Sequence, residues 1–484
     1  MQIQYTKSNI LSSLLWKFME CGGTQVIQFV IQIVLARLLA PEQFGIIAMV
    51  MVFIKLAQVF AQSGFNTALI QKKEVDEIDF SSVFYLSLLV ACLLYLILFF
   101  TAPFIANFYN SEQLILVLRV LSIILPFGAY NSIQNAIISR RMEFKKLFFS
   151  SIGAILVSGT VGIIIAYAGL GVWALVVQQL TNQFMITLIL WFTVKWRPKF
   201  KFSLERVKSL FSYGWKLLIS SLIDTLYMNL QSLIIGKIYN PATLAFYNRG
   251  EQFPQIIVTN INGSIQSVML PALSSEQDNK RRVKDLVRRS IVTSSFILFP
   301  IMIGLIVIAE SLVKIILTEK WLPCMPFLQI ACLSYALYPI HTANLQAINA
   351  LGRSDIFLKL EIIKKMVGLS ILGISIPFGI YAMAIAMLIT SIVCTFINAY
   401  PNFKLLNYSY KEQIKDIIPS FLLSLLMGGV FFIKYMGLSD WITLLLQVST
   451  GALIYFSMAF ILKLECFNYL LYTIKDLLKI KNSR

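Results

Sequence analysis

Five cationic side chains interrupt segments that are otherwise apolar: Lys17, Lys55, Arg119, Lys216 and Arg249. A charge carried to mid-membrane costs about 2.5–3.5 kcal/mol on insertion scales, so such residues normally face a bundle interior or a wet cavity. Five cations facing one another repel, and an anion such as a lipid diphosphate would relieve that repulsion. Arginine would clamp the anion with paired hydrogen bonds, and lysine would act as a point charge. Each position also has a plainer reading. Lys17 and Lys216 lie within two turns of a helix end, where snorkelling to the headgroups competes with cavity lining. Lys55 and Arg249 lie deeper, where the competitor is an internal ion pair. Arg119, five residues into its helix, either joins the cavity or reaches the interface.

Acidic residues inside the apolar segments are fewer: Glu20, Asp224, Glu251 and Glu361. Glu20 follows Lys17 by three residues and Asp224 follows Lys216 by eight, spacings that allow pairing on one helix face. Glu251, two residues from Arg249, points elsewhere. Asp224, Glu251 and Glu20 are the candidates for proton or sodium coupling, against a role in simple charge balance. His341 is the only histidine, so neither a zinc site nor a triad can be built from several histidines. Lying just after Pro339, it reads as a kink residue with a satisfied ring. The six cysteines are scattered without a C-x-x-C pair and read as inert buried thiols. The phosphate-cradling lysine loop, the G-x-S-x-G elbow and the H-E-x-x-H zinc motif do not occur. The sequence therefore assigns no catalytic residue, no metal and no cofactor.

The elements that must position these charges follow from composition. Of 484 residues, 58% are hydrophobic and 13% charged, and the mean hydropathy of +0.77 makes lipid the main solvent. A span needs roughly 20 apolar residues, and the chain supplies one such stretch after another. The expected fold is all-α, a polytopic bundle of about fourteen transmembrane helices, because only closed hydrogen-bonding within each span survives in hydrocarbon. The predicted helices fall near 10–39, 43–65, 80–105, 113–139, 144–168 and 171–194, then 206–238, 242–272, 287–309, 323–351, 355–377 and 380–400, with two more near 413–434 and 441–463. The first lacks a small-residue cleavage site and reads as a retained helix.

The net charge of +18 lies in loops between spans, which argues against nucleic acid as its partner. One set of loops holds Lys72, Lys73, Arg140, Arg141, Lys145, Lys146, the linker 195–208, the stretch Lys280 to Arg289, Arg353, Lys404, Lys411, Lys415 and the tail to Arg484. The alternate set holds only Arg37, Lys237, Lys314, Lys320 and Lys434. Retention of positive charge in the cytoplasm then places both termini there, with an even number of spans. The longest connections are about fifteen residues, too short for a catalytic domain.

An internal repeat organises the spans. Leu35-Ala-Arg-Leu-Leu-Ala-Pro-Glu-Gln-Phe-Gly45 matches Ile235-Gly-Lys-Ile-Tyr-Asn-Pro-Ala-Thr-Leu-Ala245 at an offset of 200, pairing Arg37 with Lys237 and Pro41 with Pro241. Trp16-Lys17 answers Trp215-Lys216, and the Arg140 to Leu147 segment resembles Arg353 to Leu360. Two pseudo-symmetric six-helix lobes are implied, 1–200 and 201–404, inserted in the same sense, followed at 405–484 by two further helices and a basic tail. Parallel repeats of this kind are a transporter architecture with the substrate path at their interface.

The segments Ala36-Arg-Leu-Leu-Ala-Pro-Glu-Gln-Phe-Gly45, Ala68-Leu-Ile-Gln71 and Ala168-Gly-Leu-Gly-Val-Trp-Ala-Leu175 resemble those of bacterial polysaccharide transporters. These are the Wzx-type O-antigen and colanic-acid-type flippases of the multidrug/oligosaccharidyl-lipid/polysaccharide exporter superfamily. The resemblance spans most of the chain. It implies two lobes around a cationic cavity that opens alternately to cytoplasm and periplasm in the bacterial inner membrane. The implied cargo is an undecaprenyl-diphosphate-linked oligosaccharide repeat unit, and the implied partners are membrane lipids, a glycan polymerase and chain-length machinery. Cavity cations on the first, second, seventh and eighth helices of such proteins map by helix to Lys17, Lys55, Lys216 and Arg249.

Two other functions are weighed against this one. A drug or small-solute antiporter of the same superfamily would favour acidic cavity residues and twelve helices. A membrane-embedded glycan polymerase or glycosyltransferase would need a large extracytoplasmic loop or a carboxylate cluster at one membrane face.

Overall fold

The computed structural model describes residues 7–62, 65–72, 75–469 and 471–472. Lys73, the basic tail to Arg484 and both chain termini, which enter the loop-charge reading, lie outside the described residues. Seventeen α-helices follow in order, with no strand among the described residues. They are α1 (Lys7–Leu38), α2 (Pro41–Gln62), α3 (Phe65–Gln71), α4 (Glu77–Tyr109), α5 (Gln113–Leu121), α6 (Ile124–Arg141), α7 (Phe144–Tyr167), α8 (Val172–Thr193), α9 (Leu204–Ile238), α10 (Pro241–Ser274), α11 (Lys280–Leu317), α12 (Met325–Ala336), α13 (Tyr338–Ala350), α14 (Ser354–Ser375), α15 (Ile380–Leu406), α16 (Tyr410–Gly428) and α17 (Asp440–Ile461).

Among the described residues, thirteen helical stretches are long and apolar enough to cross a membrane. Consecutive short helices join in several of them, as in 113–141 and 319–350. The fourteenth expected span, 355–377, exists as α14 but falls outside that set. Its charges Lys359, Glu361, Lys364 and Lys365 lower its apolarity, and Lys364 neutralises Glu361 locally at 2.6 Å. The outer faces of the spans carry bare apolar rings; Phe100 and Phe104 on α4 are 68% and 76% exposed. Such surface belongs against acyl chains. Cys21 and Cys92 are exposed on α1 and α4 and are not the buried thiols expected, because polarizable thiols sit as readily against lipid as in a core.

The chain divides into two compact units, 1–245 and 246–484. In the first, α7 packs between α1 and α8 through small residues. A Cβ on Gly159 would strike Ile31 of α1, and one on Gly162 would approach Gln178 of α8, the close approach that glycine permits between spans. Helix α9, part of the second copy of the repeat, packs with α2 and α4 in this unit. Gly236 permits that contact, since a Cβ there would lie 3.0 Å from Tyr109 and 3.3 Å from Met49. The linker before α9 is tied to the start of α4. Ser81 and Ser82, both buried, accept from the backbone N–H groups of Lys199 and Ser203 at 3.1 and 3.0 Å. Fully buried Asp79 accepts from Lys72 Nζ at 2.8 Å, with Arg206 3.7 Å away.

In the second unit α11 is central, packed by α12, α13, α15, α16 and α17. Arg288 of α11 donates to Asp416 of α16 at 2.9 Å, and Lys284 to Glu412 at 3.1 Å. At the other end of α11, Glu310 bridges Lys314 and Lys434 at 3.0 and 2.9 Å. The ring of His341 meets Thr395 Oγ1 at 3.2 Å, and its Nδ1 lies 2.9 Å from Asn398 Nδ2. It is a satisfied histidine between α13 and α15.

Candidate functional site

A polar cleft in the first unit lies between α2 and α9, with Lys55 and Asp224 exposed in it. On α2 the residues Lys55, Gln58, Val59 and Gln62 repeat at helical spacing and so share one face. On α9 the facing stripe is Asp224, Thr225, Met228 and Asn229. Together they line an open cleft of about 400 Å³. Six of these eight side chains are polar, although both helices qualify as membrane spans. Lys55 Nζ donates to Asn229 Oδ1 at 3.4 Å, and Asn229 Nδ2 donates to the Thr225 carbonyl at 2.8 Å, which fixes the amide's orientation. The neighbour of Lys55 on its buried side, Ile54, is fully enclosed. The rotation of α2 is thereby set, and the lysine must point into the cleft.

The sequence-predicted cations do not form one cluster within either unit. Lys55 and Asp224 are brought to the same cleft. Lys17 pairs with Glu20 at 2.6 Å, as their spacing suggests, and its Nζ lies 5.6 Å from the Phe144 ring centre. Arg119 donates from Nε to the Phe99 carbonyl at 3.1 Å and stacks on the Phe99 ring at 4.4 Å, an anchor between α5 and α4. Lys216 lies 6.0 Å from the ring of its neighbour Trp215 and is exposed. Arg249 belongs to the second unit. It is 5% exposed, donates to Gln252 Oε1 at 2.6 Å and lies 5.0 Å over the Trp321 ring. Glu251 faces another way and accepts from Tyr247 Oη at 2.5 Å.

Sequence reasoning weighted charges and passed over the amides Gln58, Gln62 and Asn229. Their signal was present as polar residues three and seven positions after Lys55 and four after Thr225, at helical spacing along mostly apolar spans. A larger cleft of about 890 Å³ lies in the second unit beside the ends of α11, α15 and α16. Six cations line it, Lys280, Arg281, Lys284, Arg288, Lys404 and Lys415, and of these Lys284 and Arg288 pair with Glu412 and Asp416. It lies at helix ends, whereas Lys55 lies within a span, and the Lys55 cleft is the candidate site for a cation at that position. Among the described residues no three His, Cys, Asp or Glu side chains gather as a metal site.

Comparison with known proteins gives a family and, separately, a fold. The polysaccharide biosynthesis protein family matches residues 34–326. The chain is 24% identical over 407 residues to the teichuronic acid biosynthesis protein TuaB of Bacillus subtilis (strain 168), covering 82% of this chain and 84% of that one. It is 24% identical over 396 residues to the lipopolysaccharide biosynthesis protein WzxC of Escherichia coli (strain K12), covering 81% and 80%. Among solved structures, the lipid II flippase MurJ in an inward closed conformation superposes with a TM-score of 0.75 at 16% identity, covering 96% of this chain and all of that one. An inward-facing multidrug resistance MATE family transporter of the MOP superfamily gives 0.60 at 15% identity, covering 85% and 96%. At such identities the structural likeness speaks for the fold.

Proposed function

The chain belongs to the polysaccharide biosynthesis protein family, and on that premise we propose that it is a flippase for undecaprenyl-diphosphate-linked oligosaccharide repeat units. It would act in the bacterial inner membrane by alternating access, with both termini cytoplasmic. The single observation that carries the reading is the Lys55 cleft, a polar, cation-bearing groove of about 400 Å³ between two membrane spans. Apolar cargo would not need it, and packing alone would fill it with small or aliphatic side chains.

Lys55 supplies a compact positive charge for a diphosphate oxygen. Asp224, in the same cleft, balances that charge between turnovers, and together with Glu251 and Glu20 it is a candidate for ion coupling. In this reading Arg249, within the second unit, is a further cation that meets the anion during transport. Its guanidinium is held by Gln252 and Trp321, so its orientation is fixed in advance of binding. Lys17, Lys216 and Arg119 complete the proposed set of cations, and the repeat supplies the proposed lobes 1–200 and 201–404, with 405–484 appended. The similarity to teichuronic acid and lipopolysaccharide biosynthesis proteins supports a saccharide cargo.

The test neutralises the two deep cations together. The double variant Lys55→Gln, Arg249→Gln should abolish surface glycan while the protein remains in the membrane at normal level. Full glycan export by that variant rejects the site.

A further inference from the structure

Neutral hydrogen-bonding groups crowd beside Lys55 in the first unit. Gln58 and Gln62 continue its face of α2 by one and two turns and line the cleft with Asn229. The Gln62 amide reaches Gly128 of α6, where a Cβ would collide with its Nε2 and lie 3.7 Å from Nε2 of Gln183 on α8. Asn131, almost one turn past Gly128, donates from Nδ2 to the Gln183 carbonyl oxygen at 3.5 Å. Asn131 and Gln134 are 4% and 0% exposed. The acceptor oxygens Asn131 Oδ1, Gln134 Oε1 and Asn182 Oδ1 have no hydrogen-bond partner among the described residues. Gln58, Gln62, Asn229, Gln183 and Asn131 are thus linked contact by contact on four helices that qualify as membrane spans.

Burying amide oxygens without partners is costly, and more so inside a membrane span. A tier of this kind stabilises nothing by itself and points to something polar that it meets. It carries no net charge, so it is not built for the diphosphate. Each primary amide offers two donors and an acceptor in one plane, and a sugar hydroxyl both donates and accepts. Neighbouring hydroxyls on a pyranose ring match that pattern.

We infer that Gln58, Gln62 and Asn229, backed by Asn131 and Gln183, form a saccharide subsite beside the Lys55 charge, one that hydrogen-bonds the sugar adjoining the diphosphate and sets which glycan is admitted. The inference rests on the lipid-linked saccharide reading. Methionine replaces glutamine at nearly equal volume without its hydrogen bonds, so Gln58→Met with Gln62→Met is the variant of choice, and Gln58→Met alone serves if the pair fails to fold.

The experiment measures binding of two probes to the full chain in detergent: bare undecaprenyl diphosphate, and the undecaprenyl-diphosphate-linked oligosaccharide pool extracted from cells that use the native protein. Wild type should prefer the glycan-bearing lipid by tenfold or more. The methionine variants should bring that ratio near one, whereas Lys55→Gln should weaken both lipids and keep the ratio. A ratio unchanged by the methionine variants, or a wild type without preference, overturns the subsite and leaves the flippase reading standing. A wild type that binds neither lipid overturns both.

Discussion

The backbone of Gly45 lies against the carbonyl of Pro241, so close that a Cβ on Gly45 would overlap the Pro241 oxygen. These two residues come from the matched segments of the repeat: Pro41 opens α2 and Pro241 opens α10, each at the first helical position, where proline's missing N–H costs nothing. Asn240 caps the second by accepting from the Thr243 N–H at 2.8 Å. The obstacle is main chain at a helix start, which cannot rotate aside. Gly45→Ala should therefore destabilise by at least the 1–3 kcal/mol or so typical of overpacking, seen as a lower melting temperature of the purified protein. Gly22→Ala, at a position with nothing within 4 Å, is the matched control and should leave melting unchanged or slightly raised. Equal melting of the two variants would remove the claimed contact.

Lys55 and Asp224 make opposite predictions if the first binds the anion and the second balances it. Loss of a charge-assisted hydrogen bond is worth about 1.5–3 kcal/mol, roughly tenfold or more in binding. Lys55→Gln should accordingly weaken binding of undecaprenyl diphosphate by about that factor. Asp224→Asn removes a competing carboxylate from the cleft and should hold or tighten binding of the same lipid. If Asp224 also couples an ion, flux in reconstituted vesicles will fall in Asp224→Asn even as binding holds. Weaker binding in Asp224→Asn would show that the carboxylate positions Lys55 and does not oppose the ligand.

Arg249 allows a sharper distinction, because its guanidinium makes a planar contact. It is buried over the Trp321 ring at 5.0 Å and bonded to Gln252. Lysine keeps the charge but loses the flat stacking face and the fork of donors. Arg249→Lys should thus lower glycan export several-fold at unchanged membrane level. Export equal to wild type would mean that charge alone suffices at this position.

Much of this architecture was legible in the sequence, and the part that was not has a physical reason. Hydropathy marked most helices to within a few residues, since each span must satisfy its own backbone in lipid; α10 was expected near 242–272 and runs Pro241–Ser274, whereas α11, expected near 287–309, runs Lys280–Leu317 because its charged first turns extend the helix beyond the apolar stretch, and the short α3 was not expected. The Lys17–Glu20 pair and the divergence of Glu251 from Arg249 followed from helical spacing alone. Which distant stripes face each other did not follow, because the pairing of α2 with α9 depends on small contacts such as Gly236 against Met49 and Tyr109. Arg119 shows the same limit from the other side. Its sequence context is that of an intramembrane cation, yet Phe99, twenty residues earlier, supplies both a carbonyl and a ring to hold it. The amides beside Lys55 went unread because a glutamine in a span carries a weaker signal than a charge.

Arg140 is a case where loop charge concealed a structural role. Its Nη1 donates to the carbonyls of Leu69, Ile70 and Lys72 at 2.7, 2.9 and 2.6 Å. These are the last carbonyls of α3 and its edge, groups that a helix end leaves without internal partners. One guanidinium from the end of α6 thereby closes the seven-residue helix α3, whose own Leu69 is fully buried. A helix so short has almost no stability of its own. Its counterpart in the repeat, Arg353, instead makes a two-pronged pair with Asp355 at 2.8 and 2.9 Å. Arg140→Ala should therefore free the end of α3 and raise hydrogen exchange across residues 65–72 by more than tenfold, with little change in α8. Arg140→Lys, whose shorter side chain brings its ammonium less far towards the three carbonyls, should fall between the two. Arg353→Ala, breaking an exposed pair, should change exchange in α14 by far less, in line with the roughly 0–1 kcal/mol such pairs contribute. Equal exchange in Arg140→Ala and wild type would show that Leu69 burial alone holds α3 in place.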